Sequence, residues 1–206
     1  MQLVDLKGSY DAIFSLGDLC LPAMQLEKNG LRPYAGVLDW MISIRLSDVN
    51  LLLKQRFHGF MELADLQVLG YAGQQLMVLD TNYSLISNHD FSIHKNSIFH
   101  LSAYPEVKAK YDRRITRFWE VLTTRQRVLF VRTGGTFQQV QQLQFVLSEL
   151  VSYDFRILFI QHSNVTEMVE TDCPFEKVCW IQLPNQEIWN ANDHFWRNIF
   201  EGIHLC

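Results

Sequence analysis

Residues 10–16 form a short apolar run that ends at Gly17. A continuous run of this length, closed by a breaker, predicts a buried strand. Directly after it, Leu21, Met24, Gln25 and Lys28 fall at helical spacing, and Asn29-Gly30 supplies residues that tolerate the left-handed backbone of a helix C-terminus. The first unit therefore reads as strand, tight turn, helix. A second helix is expected where Ser47 or Asp48 caps a run carrying Val49, Leu52, Leu53 and Phe57. Residues 60–104 lose this regularity. Brief β-like pieces at 75–79 and 83–86, with Asn82, Asn88 and Asp90 between or after them, predict an irregular or antiparallel insertion.

Helical period returns at Val107, Tyr111, Ile115, Phe118 and Leu122, predicting a helix over 106–122. Alternation then becomes clear: a strand at 127–131, the turn Thr133-Gly134-Gly135-Thr136, a helix over 137–151, strands at 156–160 and 178–183, and a final helix near 188–203. Strands alternating with helices of this length imply right-handed crossovers. The expected fold class is thus α/β, a mostly parallel sheet with helices on both faces in a three-layer sandwich, with residues 1–206 as a single domain. In such sheets sites form beyond the carboxyl ends of the strands, which points to the loops at 17–21, 132–136, 161–164 and 184–187.

Candidate chemistry concentrates in the first of these loops. A thiol reacts as thiolate, and a helix N-terminus offers free N–H donors and partial positive charge that favour the anion. Cys20 stands there, with Pro22 suited to a first helical turn. A cysteine nucleophile needs a base, and the base needs a group to orient it. Of the seven histidines, His89 lies between the polar residues Asn88 and Asp90, His162 follows an expected central strand beside the Cys20 loop, and His194 sits in Asn192-Asp193-His194. His58, His94, His100 and His204 have less suggestive settings. Arg113, Arg114 and Arg117 share neighbouring helical positions and could clamp a carboxylate or phosphate. Gly134-Gly135 follows a strand but fits neither glycine-rich nucleotide pattern, so a plain turn is expected.

Composition narrows the partners. With 48% hydrophobic and 19% charged residues the chain is of the ordinary globular kind. Its net charge is -4, and its basic residues are scattered apart from short runs at 113–117 and 125–127, which argues against nucleic acid. No apolar stretch is long enough to span a membrane, and residues 1–5 lack the layout of a secretory leader, so a cytoplasmic location is expected. The cysteines at 20, 173, 179 and 206 have no paired spacing, indicating neither zinc nor disulfides.

The segment 10–20, Tyr-Asp-Ala-Ile-Phe-Ser-Leu-Gly-Asp-Leu-Cys, followed by Leu31-Arg32 and Leu38-Asp39-Trp40, resembles an uncharacterised bacterial family of papain-like cysteine peptidases. That family's pattern is Ser-Leu-Gly-x-x-Cys, a Leu-Arg pair and Phe-Asp-Trp; Leu38 replaces the phenylalanine. Asn88-His89-Asp90-Phe91 is similar to its His-Asp-Phe segment, and residues 111–118 and 128–132 to its arginine-rich helix and following strand. The resemblance covers about residues 10–150. It implies Cys20 as nucleophile, His89 as base and Asp90 or Asp39 as the orienting carboxylate. Asp39, Trp40, Arg114 and Arg132, carried on the matched segments, are the expected substrate contacts.

The leading expectation is a cysteine-dependent hydrolase or acyltransferase for a peptide or small-molecule amide, ester or thioester, requiring no metal or organic cofactor. The alternative is a non-catalytic module that binds a sugar, nucleotide or anionic ligand through the arginines and Gly134-Gly135. A hydrolase with a C-terminal Asp-x-x-His ranks lower, because Asn192-Asp193-His194 lacks that spacing.

Overall fold

The computed structural model describes residues 1–206. The chain opens with two short strands, β1 (Gly8–Tyr10) and β2 (Ala12–Ser15), then α1 (Leu21–Lys28), the two-residue strand β3 (Met41–Ile42) and α2 (Leu46–Lys54). Next come β4 (Leu66–Ala72), β5 (Gln75–Asp80), β6 (Leu85–Ser87) and the small pair β7 (Asn96–Ser97) and β8 (His100–Leu101). The second half runs α3 (Tyr104–Thr124), β9 (Arg127–Thr133), α4 (Phe137–Leu150), β10 (Asp154–Ser163), β11 (Val169–Thr171), β12 (Val178–Pro184), α5 (Asp193–Phe200) and β13 (Ile203–Leu205).

The fold is α/β. A five-stranded sheet has the order β11-β12-β10-β9-β2, with β2, β9, β10 and β12 mutually parallel and β11 antiparallel at one edge. Its central strands are apolar on both faces, as strands covered from both sides must be. In β9, Val128 and Phe130 join one core while Leu129 and Val131 join the other. The first core takes residues of α2, α3 and α4, and the second takes residues of α1 and α5. Helices therefore lie on both sides of this sheet. The mostly parallel sandwich is only part of the architecture, because a second, wholly antiparallel sheet of order β3-β6-β5-β4 adds Leu76, Val78 and Leu85 to the first core. The antiparallel insertion expected over 60–104 also recruits Met41 and Ile42 from well before it.

Local differences have local causes. The apolar run at 10–16 is divided at Asp11, whose carboxylate accepts the Arg127 N–H at 2.8 Å, so that β1 pairs with β13 while β2 pairs with β9. Helix α2 starts at Leu46 rather than after a Ser47 or Asp48 cap, since the Asp48 carboxylate turns back to Arg45 Nε at 2.8 Å. Thr136 and Gln139 close a reciprocal capping box at the start of α4. The last helix is shorter than its expected 188–203. The Asn192 amide donates to the Pro184 carbonyl, and the Glu187 carboxylate accepts from the Asn190 and Ala191 N–H groups, folding that stretch into a loop before α5.

No helix is long and apolar enough to cross a membrane.

Candidate active site

The loop after β2 is built around glycine. Gly17 has φ +86, and a Cβ there would collide with the Ser43 hydroxyl and lie 3.0 Å from Arg132 Nη1, so no side chain fits. The next residue ties the loop down: the Asp18 carbonyl accepts the Ser43 N–H at 2.6 Å, and the Asp18 N–H donates to Thr133 Oγ1 at 3.1 Å. Cys20 follows as the N-cap residue of α1, with Pro22 in the first turn. The N–H groups of Cys20 and Leu21 donate to no backbone carbonyl. Cys20 is half-buried, and burial pushes its thiol above the ordinary value, only partly offset by its own backbone N–H. The ready-made thiolate expected at this helix tip is therefore opposed by desolvation, which disfavours the charged form.

Cys20 lines a cleft of about 230 Å³ together with Leu19, Trp40, Met41, Ile42, Asn88, His89 and Trp189. The cleft is apolar apart from the thiol, the imidazole and the Asn88 amide, whose oxygen has no hydrogen-bond donor. His89 is the only histidine lining it. Its ring meets Trp40 edge-on, with centroids 5.6 Å apart and planes at 66°. Trp40 in turn lies under the Arg32 guanidinium, 5.0 Å from its ring centre, and Arg32 Nε donates to Asp39 Oδ2 at 2.7 Å. Asp39 is 2% exposed and also accepts the Gly36 N–H. The Leu-Arg and Asp-Trp pairs thus form one packed chain, carboxylate to guanidinium to indole, ending on the imidazole.

Neither expected carboxylate bonds to His89. Asp39 is engaged with Arg32 and Gly36, while Asp90 accepts from Ser87, Lys110 and the Tyr111 hydroxyl. Asp90 anchors the backbone next to His89 onto α3 instead. Burial pushes its carboxyl up, but the hydrogen bonds from Lys110, Ser87 and Tyr111, with the Lys110 charge, outweigh that and hold it below the ordinary carboxylate value. Because the folded group titrates below the unfolded one, its stabilisation is present above about pH 4 and is lost as pH falls through the folded value. Asp90→Asn is therefore expected to cost about 1–3 kcal/mol near neutral pH and to flatten the acid limb of a urea-unfolding series. An acid limb as steep as that of the parent chain would contradict this.

The other candidates lie elsewhere. His162, at the end of β10, does not reach the cleft; its Nε2 is buried without a partner, and burial lowers its pKa while the Asp18 charge raises it. His194 is exposed on α5, packed on Phe195 with centroids 3.8 Å apart. Arg114 stands over the Tyr111 ring at 5.5 Å and is absent from the cleft. Arg132 is fully buried. Its three nitrogens donate to the carbonyls of Leu16, Ser43 and Gly134 and to Ser43 Oγ, so it braces the loops and has no face toward a substrate. The Gly134-Gly135 turn also serves close approach: a Cβ on Gly134 would lie 2.8 Å from Asp18 Oδ2.

Of the residues that shape the cleft, the sequence reading passed over Trp189, Ile42 and Met41. Trp189 had one usable signal, its place just beyond a loop at the carboxyl edge of the sheet. It is steadied by Gln25 of α1, whose amide donates to the Trp189 carbonyl at 3.4 Å.

A family model described as "Putative papain-like cysteine peptidase" matches residues 11–165, a span that holds Cys20, Trp40 and His89 but not Trp189. An uncharacterized protein of Acanthamoeba polyphaga mimivirus is 26% identical over 172 residues, which cover 74% of this chain and 77% of that protein. That relative comes from a giant virus, not from a bacterium. No solved structure matches the chain.

Proposed function

The chain belongs to this papain-like cysteine peptidase family, and from that premise we propose that it is a cysteine-dependent hydrolase or acyltransferase with Cys20 as nucleophile and His89 as base. The observation that carries the reading is that one apolar cleft is lined by both a helix-tip thiol and a single imidazole.

In acylation, His89 takes the thiol proton as the sulfur attacks the carbonyl carbon of an amide, ester or thioester. The carbonyl electron pair moves to oxygen, where the N–H groups of Cys20 and Leu21 at the helix start receive it. Collapse breaks the bond to the leaving amine, alcohol or thiol, which departs with the proton from the imidazolium. Water or another acceptor then gives its proton to His89 and attacks the thioester, and the second collapse returns a proton to sulfur. Trp40, Arg32 and Asp39 act on His89 through packing and are positioning residues.

The thiol rests neutral in this scheme and loses its proton only as the substrate is attacked. Alkylation of Cys20 by iodoacetamide, followed by peptide mapping across pH, is expected to be slower near pH 7 than that of a free peptide thiol. It should keep rising above about pH 8.5, the ordinary thiol midpoint. A rate already at its plateau near pH 6 would show a standing thiolate and overturn the neutral resting state.

The competing binding-module reading relies on Gly134-Gly135 and on Arg113, Arg114 and Arg117, but Gly134 is packed against Asp18, and Arg114 and Arg117 stand over the rings of Tyr111 and Tyr34.

A further inference from the structure

A second recess adjoins the Cys20 cleft. It measures about 270 Å³ and is lined by Ile42, Ile44, Ile86, Ser84, Arg45 and Asp48. Ile42 borders both spaces, so the recess and the cleft share a wall. Its floor is aliphatic: Ile42 and Ile86 are cross-strand partners on β3 and β6, and Ile44 is 70% exposed. The rim is polar, with Arg45 Nε paired to Asp48 at 2.8 Å. An apolar floor inside a polar rim, next to a cleft lined by a thiol and an imidazole, is the usual form of a small-ligand subsite.

We infer that this recess receives an aliphatic group of the substrate that Cys20 attacks, held by Ile42, Ile44 and Ile86; the inference rests on the Cys20 reading above. A peptide backbone adding as an extra strand beside β3 is not the occupant. The Met41 N–H already donates to the Leu38 carbonyl, the Ser43 N–H to the Asp18 carbonyl, and the Ser43 carbonyl accepts from Arg132. Recognition is left to side-chain contact. The group is a hydrocarbon branch or chain, supplied either by a fatty acyl unit or by an aliphatic residue of a peptide.

Three thiol reagents test this on the full chain: iodoacetamide, its N-hexyl derivative and iodoacetyl-leucinamide. Alkylation needs only an accessible sulfur, so the readout is independent of turnover. Cys206 is exposed and serves as an internal reference for intrinsic reagent reactivity, while Cys173 and Cys179 are buried. Relative to Cys206, one of the two larger reagents is expected to label Cys20 about tenfold faster than iodoacetamide and with saturation, since each buried methylene favours transfer from water. Preference for the hexyl reagent identifies an acyl chain, and preference for the leucyl reagent identifies a peptide side chain. Ile44→Asp, at an exposed position that the fold tolerates, and Ile86→Ser should each remove most of the advantage. Equal reagent ratios at Cys20 and Cys206, or an advantage untouched by both substitutions, would overturn the subsite. A Cys20 that shows the aliphatic preference in a protein without acyl turnover would instead sink the catalytic reading and leave the recess standing.

Discussion

Cys20→Ser is expected to lower acyl turnover by at least about 10³-fold, because a serine hydroxyl in the same place lacks the intrinsic nucleophilicity of sulfur and its base is matched to a thiol. His89→Gln should cost about 10²- to 10⁴-fold, the usual worth of a positioned general base. The two losses should not add: once the nucleophilic sulfur is gone, a base positioned for thiol attack contributes little, so the double variant should be hardly slower than Cys20→Ser alone. Both side chains lie at the cleft surface rather than in either apolar core. Unfolding midpoints should therefore stay close to those of the parent protein, which separates a chemical loss from a structural one. Hydrolysis of an activated ester, with Cys20→Ser measured beside the parent, decides the matter. A variant that retains full turnover ends the assignment of Cys20 as nucleophile.

The second large effect is structural. Arg132→Met is expected to lose on the order of 3–5 kcal/mol, read as a lower urea midpoint. Four oxygens converge on this guanidinium: the Leu16 carbonyl at 2.7 Å, Ser43 Oγ at 2.8 Å, the Ser43 carbonyl at 2.6 Å and the Gly134 carbonyl at 3.0 Å. Removing the donors strands buried acceptors, each at a cost of about 1–3 kcal/mol before any relief by water. A small domain is stable by only about 5–15 kcal/mol, so the loss is a large share of the whole. Burial pushes the Arg132 guanidinium down to about 10 while the Asp18 charge raises it, and it stays protonated at neutral pH. Arg132→Lys should rescue little, since a compact ammonium cannot replace a planar fork reaching three separate loops. The same change should loosen the Cys20 loop, because Arg132 ties Leu16, just before Gly17, to Ser43, whose N–H holds the Asp18 carbonyl. A methionine variant as stable as the parent would show that water takes over these contacts.

These two sites mark different ends of what could be read in advance. The turn from β2 into α1 is local: an apolar run, a glycine and a helix with proline in its first turn place Cys20 at the tip whatever surrounds it. The capping pair Thr136 and Gln139, three residues apart, is equally local. Arg132, by contrast, was expected to contact substrate because it lies on a segment that matches the family's pattern, and nothing in the local sequence shows its burial. Only the arrival of the Ser43 and Gly134 loops encloses it. Asp39 and Asp90 were legible as important acids, yet their partners are Arg32, Lys110 and Tyr111 rather than the imidazole.

By itself, then, the chain determines the alternation of strands and helices, the two-faced burial of β9 and the position of a thiol at a helix start. Each of these depends on residue periodicity and backbone preference within a few positions. Which histidine shares the cleft with that thiol, which charges are enclosed, and that Trp189 and Ile42 complete the walls were decided by tertiary structure. Those pairings join segments far apart in sequence, and only close packing of both cores brings their side chains within contact distance.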